Sequence, residues 1–198
     1  MISQTLIQIS NAESIKLNKK EALRYLGVCK GNEEIEKLID KIAPDVYKTV
    51  NFKAVYICVD INVNDEWVDM GFARVKSKPL AKNLRGCKRA FVFAATLGIE
   101  NDRAIDREFK VDKARASVFN CISTALIESF CDYVNEYLGK DKRLRPRFSP
   151  GYGDFSITHQ RDVIDILDAN RKIGITLNDS YMMKPSKSVT AVIGIEEG

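Results

Sequence analysis

The stretch after Asp112 constrains this chain more than any other. From Lys113 to about Leu138 the apolar residues Val118, Ile122, Ala125, Leu126, Phe130, Tyr133, Val134 and Tyr137 recur at helical spacing. Asp112 stands where an N-cap would. A helix with so wide an apolar face must be covered by other elements, so it predicts a layered domain with this helix at its centre. The best strand candidate is Arg89–Thr96 (RAFVFAAT), almost continuously apolar and therefore central.

Other segments supply the layers. Asn18 and Glu21 lie at capping-box separation and Gly27 follows, predicting a helix over 18–26. A second helix runs from Asn32 towards Val50 on the stripe Ile35, Leu38, Ile39, Ile42 and Val46, with Pro44 interrupting its second half. Phe52–Asp60 reads as a strand, and two shorter strands, Trp67–Met70 and Phe72–Val75, flank a turn near Gly71. Ser77 caps a short helix with Pro79 in its first turn, and a polar helix spans about Glu100–Phe109. Ser156 starts another helix with Ile157, Val163, Ile164 and Leu167 inward, followed by Ile173–Leu177 and a strand at Ser188–Ile195. No repeat and no linker divides the 198 residues. The expected architecture is one α+β domain over 1–198, a mainly antiparallel twisted sheet packed with helices.

Charge narrows the function. The 31 basic and 27 acidic residues differ by +4, and the segment KDKRLRPR (140–147) holds five basic residues and one acid. The rest balances at 26 against 26, so the basic character is one short segment, not a face of the kind that binds nucleic acid. A solvated basic loop and an anion site both remain open. No apolar run reaches the roughly 20 residues of a membrane span, and the N-terminus does not read as a signal peptide. The expected location is the cytoplasm.

Five cysteines (Cys29, Cys58, Cys87, Cys121, Cys131) show no metal-knuckle spacing, and their odd number suits no disulfide framework. Cys58 and Cys121 lie in apolar runs and read as small hydrophobes. His159 is the one histidine and falls off the apolar stripe of its helix, so it is expected to face solvent; no metal site or Cys–His nucleophile is expected.

The remaining chemistry converges on two places. Pro150-Gly151-Tyr152-Gly153 interrupts the chain between helices, and its glycines permit positive φ and close approach to a ligand. GYGDFS lacks the third glycine of a dinucleotide fingerprint and follows a loop, and no phosphate-binding GxxxxGK[ST] exists. The loop is either a structural turn or a ligand site bearing Arg147 and Tyr152. Glu128 is the second place: Cys121, Ala125, Glu128 and Asp132 share one helical stripe inside an apolar stretch. A carboxylate there pairs with a surface lysine or faces a ligand.

RFSPGY at Arg147–Tyr152 resembles the R-x-x-x-G-Y signature of the S-adenosylmethionine-binding activation domain of cobalamin-dependent methionine synthase. GITLNDSYMMKP (174–185) with Ser188-Val189 is similar to that family's G-x-x-L-T-E-S-x-x-M-x-P…S-V segment. LRYLG (23–27) and AATLG (94–98) look like segments of its short, stand-alone bacterial members. The resemblance implies a reactivation subunit that presents S-adenosylmethionine to the oxidised cob(II)alamin of a separate methionine synthase, with a flavodoxin-like protein supplying the electron. It implies that Arg147 binds the carboxylate of the cofactor's methionine, that Phe148 and Gly151 offer backbone contact and close approach, and that Tyr152 lies beside the cofactor. It assigns Glu128 to the amino group or sulfonium, and Asp141 to a further acidic contact. The family's arginine one turn before the helix glutamate is replaced here by Ala125. The alternative implied by that departure is a capping module for a corrinoid protein, without S-adenosylmethionine binding. RNA or anion binding through 140–147 ranks last.

Overall fold

The computed structural model describes residues 4–28 and 32–196; Cys29 lies outside them. In chain order the elements are β1 (Thr5–Gln8), α1 (Lys19–Tyr25), α2 (Glu33–Tyr47), β2 (Lys53–Asp60), β3 (Asn62–Val63), β4 (Trp67–Asp69), β5 (Arg74–Lys76), α3 (Lys78–Asn83), β6 (Arg89–Thr96), α4 (Ile99–Val111) and α5 (Lys113–Leu138). After a long loop come α6 (Gln160–Leu167), α7 (Ala169–Ile173), β7 (Thr176–Leu177), β8 (Met183–Lys184) and β9 (Ser188–Ile195).

The main sheet is antiparallel in the order β1-β2-β6-β9, with Tyr56 opposite Phe93 and Val92 opposite Val192. Strand β6 is inner and buried on both faces, as its unbroken apolar run requires. Alternate side chains then feed two cores. Phe91, Phe93 and Ala95 pack under α1, α2, α4 and α5 with Phe52, Phe119 and Phe130. Val92 and Ala94 face α3, α6 and α7 with Phe155, Val163 and Leu167. The mixed α+β class with one long helix is therefore as expected. Strand β9, free of a fifth strand, is an edge, and the site lies along it.

Caps set the helix ends as the sequence indicates: Asn18, Asn32, Ser77 and Asp112 each accept backbone N–H groups of the following turn. Several expectations need correction. Helix α2 ends at Tyr47, not near Val50; Pro44 sits inside it, and Thr49 closes the end by donating its hydroxyl to the Val46 carbonyl. Tyr133 and Tyr137 are not buried with the rest of the α5 face. They flank it, Tyr133 stacked on Phe130 and Tyr137 edge-on to Tyr56.

Ile157 is also half in solvent, because one 3-10 turn over Ile157–His159 precedes α6. The tighter winding rotates Ile157 off the Val163/Ile164/Leu167 stripe. His159 is half-buried against Phe155 and bonded through Nδ1 to Asp162 (2.7 Å), not simply solvent-facing. Cys58 is exposed although it shares the parity of Ala54 and Tyr56, because it lies near the end of β2, and Cys121 is half-buried. Strand β1, unread in the sequence, pairs with β2. No helix among the described residues is long and apolar enough to cross a membrane.

Candidate functional site

The loop after α5 runs back antiparallel along the free edge of β9. Leu144 bridges Ile195 and Phe148 bridges Val192, with Phe148 N–H to Val192 O at 3.0 Å and the return bond at 2.8 Å. Arg145 N–H to Gly194 O and Glu196 N–H to Arg143 O complete this short pairing. At Ser149-Pro150 the loop leaves the edge. Ser188 and Thr190 share the outward parity of Val192, so their backbone groups point to the side the loop has left, where the two residues, themselves buried, line a cavity. No strand or loop among the described residues pairs with them.

The departure is fixed by Gly151, whose φ of +88° only glycine takes without strain. Its N–H donates to Phe155 O (2.7 Å), and an added Cβ would meet Ile157 Cδ1 at 3.1 Å. Phe148 is buried, stacked on Phe155 and met edge-on by Tyr152, which is itself exposed. Asp154 holds the far side of the loop, accepting from the Ser77 hydroxyl and the Lys78 N–H at the start of α3.

Arg147 turns towards α5. Its Nη1 donates to Asp132 (2.9 Å) and its Nη2 to Glu128 (3.3 Å), so two carboxylates one turn apart grip one guanidinium. Glu128 also lines a cavity of about 270 Å³, together with Ser149 and Pro150 of the loop, Gln160 of α6, Tyr181 and Met182 of the β7–β8 turn, and Ser188–Thr190 of the open edge. Gln160 is held by Thr190 Oγ1 (2.6 Å). The β7–β8 turn is braced by Asn178, whose side chain accepts from Ser180 N–H (3.0 Å) and Met182 N–H (2.9 Å). A second hollow of about 510 Å³, lined by Asp102, Asp106 and Asn178 among others, shares Met182 and Met183 with the first.

Of the residues expected from sequence, Arg147 and Glu128 are in direct contact, and Phe148, Gly151 and Tyr152 build the adjoining loop. Asp141 is exposed in the turn after α5, and no hydrogen bond or ion pair among the described residues brings it to Arg147. Ala125 is fully buried in the core, not facing the cavity. Asp132 was visible as a member of the Glu128 stripe but had no assigned role. Asp154, Gln160 and Lys187 carried no local signal. Lys187 Nζ donates to Thr124 (2.9 Å), one turn from Glu128. Burial holds this ammonium below the ordinary lysine range, against the opposing field of Asp102, which itself accepts from the N–H and hydroxyl of Ser186.

Residues 133–197 match the family model described as vitamin B12 dependent methionine synthase, activation domain. The matched segment contains every expected site residue except Glu128, which lies just before it. No curated protein sequence matches the chain. Among solved structures, it is similar to one described as the crystal structure of the MetH reactivation domain bound to AdoHcy, with a TM-score of 0.73 and 16% identity over 98% of this chain and 78% of that one. The resemblance drawn from the motifs is thus borne out: residues 133–197 carry the sequence pattern of the methionine synthase activation domain, and the chain carries that domain's fold.

Proposed function

We propose that residues 1–198 act as one S-adenosylmethionine-binding domain that supports reductive methylation of cob(II)alamin in a separate corrinoid methionine synthase. The observation that carries this reading is the Arg147–Glu128 pair set beside a cavity on an open strand edge, at the loop where the family pattern is matched. The ligand of the similar solved structure supports it.

The residues suit the ligand's parts. S-adenosylmethionine carries a carboxylate, an ammonium and a sulfonium. Arg147 offers a planar fork to the carboxylate, exchanging the exposed Asp132 for it. Glu128 then receives the ammonium or faces the sulfonium. The cavity lies just under the usual ligand range of about 300–1,000 Å³, so it takes one end of the molecule. The contiguous hollow, with shared Met182 and Met183, takes the rest. The N–H and C=O groups of Ser188 and Thr190, without a backbone partner, offer polar contacts in the first cavity.

Cobalamin, carried by the partner, supplies the nucleophilic metal when that partner docks. This chain's part is to bind and orient the methyl donor, which acts through proximity and fixed charge. A flavodoxin-like electron donor and a cytoplasmic setting complete the proposal.

One observation favours the second reading, a cap for a corrinoid protein without S-adenosylmethionine binding: Arg147 is already engaged by two carboxylates. Calorimetry with S-adenosylmethionine, with and without a corrinoid methionine synthase, separates the two. Saturable binding supports the first, and corrinoid-protein binding without it supports the second.

A further inference from the structure

One polar group in the cavity beside Glu128 is left unused by the fold. Gln160, the first residue of α6, is 2% exposed and lines that cavity with Ser188 and Thr190. Its amide nitrogen is fully committed, donating to Thr190 Oγ1 at 2.6 Å and to the Met183 thioether at 3.3 Å. The reverse amide orientation would set the carbonyl oxygen against the sulfur lone pairs, so the nitrogen belongs on that side. Among the described residues no donor reaches Oε1. Yet Oε1 is not sealed away: the side-chain atoms among them that are both buried and unpartnered are Asn83 Oδ1, Asn101 Oδ1, Asn135 Oδ1 and Arg145 Nε. In a residue so deeply buried, the access that Oε1 keeps is through the cavity that Gln160 lines.

An amide carbonyl held in this way accepts a hydrogen bond and cannot donate one. Met183 of β8 and Thr190 of β9 fix it before any ligand arrives, so a matching donor gains the bond without the cost of ordering the side chain. A ligand that fills the cavity without a donor strands the carbonyl, which costs its desolvation. The cavity therefore discriminates between ligands by what they present to this oxygen. Glu128 and the carbonyls of Ser188 and Thr190, which have no backbone partner, line the same cavity. Acceptors thus outnumber what a single hydroxyl hydrogen can satisfy, and a nitrogen bearing two or three hydrogens fits the set.

We infer that Gln160 is a specificity-determining residue of this cavity, its Oε1 accepting a hydrogen bond from a nitrogen-bound hydrogen of the ligand. The inference rests on the S-adenosylmethionine reading above. That ligand carries such hydrogens at two places, the ammonium of its methionine part and the 6-amino group of its adenine. The chemistry that Gln160 reads is the same at both, and ligands lacking one nitrogen or the other tell them apart.

The test is calorimetric titration of the full chain, by competition where direct heats are small, in wild type and Gln160→Met, which keeps the side-chain length and removes the carbonyl. The ligands are S-adenosylhomocysteine, its desamino analogue, which lacks only the ammonium, and S-inosylhomocysteine, in which a keto oxygen replaces the adenine amino group. Gln160→Met should weaken S-adenosylhomocysteine about fivefold or more, the worth of one hydrogen bond. The loss should vanish for one analogue and persist for the other: for the desamino ligand if the ammonium is the donor, for the inosyl ligand if the adenine amine is. If Gln160→Met does not fold, Gln160→Glu decides with the same ligands, its carboxylate strengthening those that carry the donor nitrogen and not the one that lacks it. Unchanged affinity, or equal weakening of all three ligands, overturns the role of Gln160 while the function stands. If wild type binds neither S-adenosylmethionine nor any of the three, the functional reading fails and this inference with it.

Discussion

Arg147→Ala is the substitution whose outcome the geometry fixes most closely. The guanidinium is mostly buried between the loop and α5, and each terminal nitrogen has a carboxylate partner. Truncation removes the fork that would take the ligand carboxylate and strands Glu128 beside the cavity. Removing one member of a desolvated charge pair at a binding site costs about 2–5 kcal/mol. The lower end applies here, because Glu128 and Asp132 keep contact with water and the added negative charge attracts the sulfonium. About 2 kcal/mol corresponds to roughly thirtyfold weaker S-adenosylmethionine binding, measured by titration calorimetry. Arg143→Ala and Arg145→Ala serve as comparisons from the same basic segment. Arg145 pairs with Glu196 (3.2 Å) and donates to the Arg85 carbonyl, away from the cavity, so its loss should be read in stability and not in affinity. Equal weakening by all three substitutions, with differences abolished by salt, would replace the carboxylate clamp with diffuse attraction to a basic patch.

Glu128→Gln should weaken S-adenosylmethionine binding while leaving the melting temperature of the ligand-free chain nearly unchanged; unaltered affinity returns Glu128 to a purely structural pairing with Arg147. Gly194→Ala places a methyl 2.8 Å from both Cys87 Sγ and Leu84 Cδ2 in the core, and urea unfolding should show a loss of about 1–3 kcal/mol. Lys187 has a lowered native value, so between that value and the ordinary one the unfolded chain binds more protons. Its contribution to stability is therefore fully present above the unfolded pKa and is lost as pH falls through the native one. The stability of wild type relative to Lys187→Met should accordingly rise as pH climbs towards the ordinary lysine value of about 10, and a flat difference in urea unfolding contradicts the burial argument.

Long periodic elements were the legible part of this fold. Asp112 and the apolar repeat specify α5, and the uninterrupted run at 89–96 specifies an inner strand, because burial on both faces leaves no polar alternation. Strand β1 was not legible: four residues with Leu6 outward carry too little pattern, and β2 supplies the pairing that makes them a strand. Half of the site was legible in the same way. Arg147 and Gly151 stand in a motif, and Glu128 stands out as a carboxylate within an apolar stretch. That Arg147 reaches back 19 residues to Glu128 depends on the loop pairing with β9, a tertiary event with no local signature. That the loop leaves Ser188 and Thr190 without a backbone partner is likewise a property of where it departs from the edge. Ala125 shares the Glu128 and Asp132 stripe, yet it is fully buried while Asp132, two turns further along the same face, is 67% exposed; how far the cover of that face extends has no local signature.

Titration of the full chain with S-adenosylmethionine, by calorimetry and by thermal unfolding, tests the central claim most directly. A ligand that binds only the native state raises the melting temperature by mass action. The account predicts saturable binding of one molecule per chain and a melting temperature that climbs with ligand concentration. No heat and no shift at millimolar ligand, with or without a corrinoid methionine synthase, would contradict it.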